Sequence, residues 1–326
     1  MAATTHFTRE LFKSDRRNAS KDKLWIYKPA NNACGRGISL ISKQQKVKKK
    51  PGYLISQYIA NPHLLNGYKY DLRLYVLVTC LCPLKVYLYD EGLARICTRK
   101  YSTKRNTLND KYKHLTNFSI NSKSESYIPN VNADDDQYGN KWSLEALRKK
   151  YKELGIDSDK IFDKIKDVII KTLIAVEGPM QAVYSTSYAN RNNFYELYGF
   201  DVLIDENLKP WLIEVNVCPS LNNSTPLDKR IKTSLICDIF NLLGYTPYDK
   251  KQLEKEVEKY KIEGKPKRST RRKEDIEDLN AENCIDKLSA EDWNILFEFD
   301  EEFHRRGDFE RIFPNKSNVA KYSKFF

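Results

Sequence analysis

The sequence predicts an α+β fold resting on antiparallel sheet, from three observations. Short β-branched and aromatic runs separated by Gly and Pro fill residues 24–98, two amphipathic helical patterns follow over 143–176, and two further β-rich runs joined by a polar turn span Tyr198–Val217. With 326 residues, 40% of them apolar, the chain can bury a real core over most of its length.

The elements follow in order. Residues 1–22 are polar and without sustained period, as a tail or a cut start would be. Leu24–Pro29 (LWIYKP) reads as a strand, Ala30–Gly37 (ANNACGRG) as a small Gly-bearing loop and Ile38–Ile41 as a second strand. Tyr53–Ile59 (YLISQYI) is a third strand, closed by Asn61-Pro62. Leu72–Cys82, Val86–Tyr89 and Ala94–Thr98, divided at Pro83 and Gly92, are expected to form an antiparallel meander. Residues 121–140, rich in Asn, Ser and Asp, are expected to be an exposed or partly disordered loop. Ser143–Leu154 places Leu144, Leu147, Tyr151 and Leu154 on one face, and Ser158–Val176 repeats Ile161, Ile165, Ile169 and Val176 at helical spacing, so both are core helices. Beyond Gly244, Lys251–Ile262 reads as a charged amphipathic helix and Gly264–Lys273 as a basic linker. Ser289 with Asp292 resembles a capping box opening a helix that stops near Gly307.

The net charge of +12 concentrates in Lys43–Lys50, Arg99–Lys113 and Lys250–Lys273. Such a field favours an anionic partner. Nucleic acid, an acidic lipid surface and acidic protein tails all satisfy it, and so does a merely solvated face. The seven cysteines are odd in number, scattered and without a C-x-x-C pair, which suggests free thiols in a reducing cytosol rather than a zinc site or a disulfide framework. The longest near-continuous apolar run, Leu74–Cys82, is far short of the roughly 20 residues that span a bilayer. The chain is therefore read as soluble and not secreted.

Chemistry concentrates in the 198–217 hairpin. If Asp205 pairs with Pro210, then Asp201 lies opposite Glu214, their Cβ atoms about 5 Å apart, and Asn216 shares the Glu214 face. Two acids facing each other among Phe200, Val202, Leu203, Trp211, Leu212 and Ile213 repel unless a cation sits between them, and hard oxygen ligands suit magnesium. A solvated hairpin face with two ordinary acids is the bland alternative. The Gly35-Arg36-Gly37 loop after Lys28-Pro29 offers backbone N–H groups and two cations to phosphate, yet it lacks P-loop and dinucleotide-fold spacing, and a lone G-x-G is more often a turn. Strand alternation puts Lys69, Asp71 and Arg73 on one face, either under a polar ligand or as a surface ion-pair ladder.

A set of longer motifs adds a resemblance. WIYKPANNACGRGI, QYIANPHLLNGYKYDLRLYVLVT, PLKVYLYDEGLAR, HLTNFSIN, GNKWSLEAL and ELYGFDVLIDENLKPWLIEVNVCPSL follow in the order seen in the tubulin tyrosine ligase-like family, from about Leu24 to Gly244. The sequence looks most similar to the branch of tubulin polyglutamylases. The resemblance implies an ATP-grasp fold with antiparallel sheets, in which residues 23–62 are part of the central subdomain and 63–246 the C-terminal one. A basic helical extension covers 247–326, and the family's N-terminal subdomain is expected to be missing ahead of Lys28.

The same resemblance implies residue roles. Lys28 becomes a phosphate-binding lysine, and Arg36-Gly37 the loop over the phosphates. Ser56, Gln57, Tyr58 and Ile59 become the adenine-side hinge, where many relatives carry Gln at the Ser56 position. Lys69, Asp71, Thr116 and Asn117 line the ATP site, and Arg73 and Arg95 face the transferring phosphate or the amino-acid carboxylate. Phe118, where relatives often carry Tyr, lies with Ser119 and Lys232 beside the incoming amino acid. Asp201, Glu214 and Asn216 match magnesium ligands, with Arg73, Arg95 and Glu214 forming the catalytic set. The implied activity is an ATP- and Mg2+-dependent protein glutamylation through an acyl phosphate, with tubulin acidic tails or microtubules and free glutamate as partners and no membrane or nucleic acid. A cytoplasmic, cytoskeletal monomer is expected, with the cilium or basal body as the narrower location. A non-catalytic microtubule-binding relative and a small-metabolite ligase are the other classes; intact Lys28, Asp201, Glu214 and Asn216 favour catalysis, and the basic extension favours a polymeric acidic partner.

Overall fold

The structure is a computed structural model that describes residues 23–32, 35–42, 51–187, 194–245 and 288–325, with a few positions between 249 and 259. In chain order, β1 (Leu24–Pro29), β2 (Ser39–Ser42) and β3 (Tyr53–Gln57) form a small antiparallel sheet in the order β2-β1-β3. Next come β4 (Leu64–Leu65), β5 (Tyr68–Leu81), β6 (Leu84–Ile96), the one-turn helices α1 (Lys111–His114) and α2 (Phe118–Asn121), and β7 (Lys141–Ser143). Two core helices, α3 (Leu144–Glu153) and α4 (Ser158–Ser187), lead to the hairpin of β8 (Glu196–Ile204) and β9 (Pro210–Val217). Helix α5 (Pro226–Leu243), helix α6 (Ala290–Arg305), β10 (Phe309–Phe313) and α7 (Val319–Tyr322) complete the described elements. The large sheet is antiparallel throughout, ordered β10-β6-β5-β8-β9, with β4 added on β5 and β7 on β6.

Its alternating residues feed two cores. Tyr70, Leu72, Leu74, Val76 and Val78 of β5 join Phe200, Val202 and Ile204 of β8 beneath Leu147, Tyr151, Ile165 and Ile169 of α3 and α4. The opposite face gives Tyr75 and Leu77, which pack under Leu227, Ile231, Leu235 and Ile239 of α5. Helix α5 starts at Thr225, whose hydroxyl accepts from Asp228 N, has Pro226 in its first turn, and ends on Gly244 in the left-handed region at φ +61°. Among the described residues no helix is long and apolar enough to cross a membrane.

Several boundaries differ from the sequence reading. Strand β6 runs unbroken through Gly92, because this residue lets two strands approach where a Cβ would come within 2.5 Å of the Arg73 carbonyl oxygen. Helix α4 continues past Val176 and Pro179, since Tyr184 keeps the apolar stripe on the core. The 121–140 segment is pinned: the buried Asn130 amide donates to the Asp135 and Tyr138 carbonyls, and Asn140 N donates to Ile128 O. Ser289 and Asp292 form the expected capping box, but Phe309–Phe313 then pairs with β6 and buries Phe309, Ile312 and Phe313, so residues 288–325 belong to the main body rather than to a purely helical extension. Most of the predicted Lys251–Ile262 helix and all of the Gly264–Lys273 linker lie outside the described residues.

Candidate active site

The hairpin brings Asp201 opposite Glu214, as the sequence count requires, but by a different route. The turn closes on Ile204 and Pro210, not on Asp205 and Pro210, and a register shift after Asp201 leaves Ile213 as an extra residue that restores the pairing. Asp205 is free to organise the turn, accepting from Asn207 N, Lys209 N and Trp211 Nε1.

Around that pair, register alone builds two charged rows on one face of the sheet. Lys141, Arg95 and Asp71 are cross-strand neighbours on β7, β6 and β5, and Arg73, Asp201 and Glu214 are neighbours on β5, β8 and β9. Arg73 donates to Asp201 in a fork, Nε to Oδ1 at 2.6 Å and Nη2 to Oδ2 at 3.1 Å. Arg95 donates from Nε to Asp71 Oδ1 at 2.9 Å, and its Nη2 stands 2.8 Å from Asp201 Oδ2. Burial works against the charges of Arg95 and Asp201, but Asp71 and Asp201 outweigh it for Arg95, and Arg95 and Arg73 outweigh it for Asp201, holding the guanidinium above its ordinary value and the carboxyl below the usual carboxylate range. Two arginines and two aspartates thus neutralise one another.

Glu214 sits outside this balance. Burial, then the charge of Asp201, pushes its carboxyl above the usual range. Asn216 spends its amide nitrogen on Gly199 O at 3.2 Å and Glu214 Oε1 at 3.4 Å, bonds in which its amide oxygen takes no part. The donor set fits magnesium: hard oxygens from Glu214 and Asn216, with Asp201 adjacent, and a Glu214 charge that a cation would stabilise. Among the described residues no group of three or more His, Cys, Asp or Glu stands together that could hold a metal ion.

The residues expected on the nucleotide side separate into two groups. Lys28 lies on β1 opposite Leu54, and Gly35 and Gly37 both take positive φ, +72° and +75°, around exposed Arg36. A Cβ at Gly35 would stand 2.8 Å from Asn117 Oδ1 and 2.6 Å from Ile120 Cδ1, so the loop rests on α2 beside Thr116-Asn117. Ser56 and Gln57 are exposed on β3, while the Tyr58 ring turns inward. Lys69 Nζ donates to Tyr58 Oη at 3.0 Å and to His114 O at 2.8 Å, and Tyr58 Oη lies 3.1 Å from His114 Nδ1. Lys69 is thereby committed to holding the hinge, and burial lowers its pKa. A cavity of about 350 Å³ lies between hinge and hairpin turn, lined by Gln57, Tyr58, Ile59, Asp205, Asn207 and Trp211. A larger cavity, about 430 Å³ near Leu88 and Phe162, touches none of these residues.

On the other flank the structure adds residues that the sequence reading left without a role. Lys141 Nζ donates to Ser224 Oγ at 2.7 Å and pairs with Asp228 Oδ2 at 2.5 Å, while Lys232 Nζ stands 3.4 Å from Asp228 Oδ1. Phe118 lies under Lys141, 4.0 Å from ammonium to ring centroid. Ser119 follows in α2. Thr225-Pro226 with Asp228 three residues after the cap was the available signal for α5, whereas nothing in the sequence marks Lys141, the first residue of the short buried strand KWS.

A charged, partly open sheet face beside a Gly loop, with two acids in register, accords with an ATP-grasp-like domain of antiparallel sheets and helices. The model of the tubulin-tyrosine ligase family matches residues 2–254, and the chain belongs to that family. It is 37% identical to mouse tubulin monoglutamylase TTLL4 over 94% of this chain and 28% of that protein, and 37% identical to human tubulin polyglutamylase TTLL5 over 94% and 26%. Tubulin polyglutamylase ttll-4 of Caenorhabditis elegans is 36% identical over 92% of this chain and 51% of its own length. The chain thus spans between a quarter and a half of these relatives.

Proposed function

We propose that this chain carries the ligase part of a tubulin glutamylase, joining the amine of free glutamate to the side-chain carboxylate of a glutamate in tubulin's acidic tails at the expense of ATP. The observation that carries it is the pair of charged rows Lys141-Arg95-Asp71 and Arg73-Asp201-Glu214, set in register on one face of the large sheet. Names of relatives 36–37% identical over nearly the whole chain support the acceptor and the amino acid.

A carboxylate resists an amine until one of its oxygens becomes a leaving group. Transfer of the γ-phosphoryl group to the acceptor carboxylate forms an acyl phosphate and ADP; the amine then attacks the carbonyl carbon, expels phosphate and loses a proton. Lys28, the Arg36-Gly37 loop and Arg73 neutralise and orient the transferring group, and the hinge Ser56–Ile59 with Lys69, Asp71, Thr116 and Asn117 positions the nucleotide in the cleft between the two sheets. Asp201, Glu214 and Asn216 would hold magnesium, which would supply charge neutralisation to that transfer. Arg95, Phe118, Ser119 and Lys232 hold the incoming amino acid.

The test is mass spectrometry of tubulin incubated with the protein, ATP, magnesium and either glutamate or glycine. Glutamyl adducts on the tails that vanish with Lys28→Ala are expected. No adduct, or glycine alone, sinks the reading. Lys250–Lys273 holds eleven Lys/Arg, so microtubules stripped of their tails by subtilisin are expected to co-sediment less protein; equal sedimentation would remove the tails as the docking partner.

A further inference from the structure

The charged rows leave a gap at Gly199 of β8. This residue lies two positions from Asp201 on the same face, between Tyr75 on β5 and Asn216 on β9. Its φ is outside the left-handed region, so the backbone there suits any residue, and a glycine inside a strand only weakens it. Space is therefore what this glycine supplies. A Cβ would stand 2.8 Å from Pro219 Cβ, 3.3 Å from Arg73 Cδ and 3.4 Å from Arg73 Nε. That same Nε donates to Asp201 Oδ1 at 2.6 Å, so Arg73 reaches its partner along the bare Gly199 backbone. A second feature fills the gap from the other side. Just after β9, Cys218 takes φ +53°, a conformation that is unfavourable for a non-glycine residue and persists where the surroundings enforce it. The reversal folds Pro219 back onto β8, where it is buried. Asn216, two residues before the reversal, donates from Nδ2 to Gly199 O at 3.2 Å and ties the strands at that level.

We infer that Gly199 is a positioning residue: the side chain it lacks is the room that Arg73 and Pro219 share, and Pro219 is the wall that keeps the guanidinium on Asp201 and aimed at the transferring phosphoryl group. The inference rests on the ligase reading for the task of Arg73 and adds what sets its aim. Pro219 Cβ belongs to a ring fused to the backbone and has no rotamer to escape into, so a Cβ at position 199 displaces the turn or the strand itself. Arg73 has little freedom either, since its side chain is 15% exposed and that of Asp201 2%. A Cβ at position 199 therefore acts on the fork between them.

The experiment compares the parent with Gly199→Ala, Pro219→Gly and the double variant. Calorimetry reads the affinity for a non-hydrolysable ATP analogue and for ADP, both with magnesium, and kinetics read kcat and KM for glutamate. ADP lacks the group that Arg73 meets. Gly199→Ala is expected to lower the preference for the analogue over ADP about tenfold and kcat about 10- to 100-fold, with ADP affinity and KM for glutamate unchanged. A merely structural role would lower both nucleotide affinities together. Pro219→Gly removes the 2.8 Å contact, so the double variant is expected to fall between Gly199→Ala and Pro219→Gly in its preference. A folded Gly199→Ala with the parental preference, a double variant that recovers nothing, or a parent that binds the analogue no better than ADP would each overturn the inference. If Gly199→Ala does not fold, the double variant is set against Pro219→Gly, because the added Cβ then meets Arg73 alone: a lower preference in the double variant is expected, and equal preferences overturn the inference. The ligase reading is judged on the tails. A parent that prefers the analogue, loses that preference in Gly199→Ala and modifies no tail fails as a tubulin ligase and keeps the positioning role. A parent and a Gly199→Ala variant that glutamylate tails at equal rates keep the ligase reading and remove the role.

Discussion

The two halves of one face of β5 show what makes a site out of a sheet. Tyr75 and Leu77, in the second half, lie under α5 and are fully buried in an apolar cluster. Lys69, Asp71 and Arg73, in the first half, point the same way by strand alternation, yet α5 does not reach them and their partners are other charges or the hinge. The covered half gains from burial alone. The open half is held by ion pairs whose desolvation roughly offsets their attraction, so its conservation of shape depends on every partner being present. The difference teaches that the charged face, and with it the candidate site, lies where apolar packing under α5 gives way to ion pairs.

Breaking one partner in the open half should have the largest effect on stability. Asp201→Ala strands Arg73 and Arg95 against each other and is expected to cost about 3–5 kcal/mol in urea unfolding, with activity lost. An unchanged midpoint would show that the two guanidiniums find solvent. In the covered half, Leu235→Ala opens a cavity and is expected to cost about 3 kcal/mol, while the KM values for ATP and glutamate of the folded protein stay as they were. A shifted KM would mean that α5 also shapes the site.

A smaller effect tests the hinge that joins the halves to the small sheet. Burial, the largest cause, lowers the His114 pKa from 6.5 to about 4. The unfolded chain therefore takes up a proton near pH 6.5 that the folded protein refuses until about pH 4, and stability present above the higher value is lost as the pH falls through that window. Denaturation midpoints from pH 7 to 4.5 should fall less steeply in His114→Gln, with a residual slope from His63, whose pKa burial also lowers. An identical slope would sink the assignment. Glu214→Gln should change stability least, by about 0.5 kcal/mol or less and in the stabilising direction, because it removes a charge that Asp201 and burial already disfavour. Turnover should nonetheless be abolished, and normal turnover would end the proposed role of Glu214.

Much of this was legible before any coordinates. The Asp201-Glu214 pairing follows from counting around a four-residue loop closed by Asp205 and Pro210; the loop is one residue longer, closing on Ile204, and the extra residue Ile213 made up the difference. Lys69, Asp71 and Arg73 share a face because a strand has a period of two. Gly92 misled because a glycine between two β runs reads as a break, whereas close approach of the Arg73 backbone is what requires it. The strand Phe309–Phe313 was missed because five residues after a long charged segment carry too little periodicity to stand out.

What the sequence determined by itself is local: which runs are strands, which faces are apolar, and which acids and cations lie on one side of β5, β8 and β9. These follow from bond geometry and side-chain period, which act over a few residues. Only the tertiary structure decided that Lys141 joins Arg95, that Lys141 and Lys232 contend for one Asp228, and that Lys69 is committed to Tyr58 and His114. Those groups lie 46, 91 and 45 residues apart along the chain, by subtraction of their numbers, and their meeting depends on sheet order and on where α5 lands. No short-range rule encodes that outcome, because it is set by how two helical layers can cover a seven-stranded sheet and by which stretch of it they leave open.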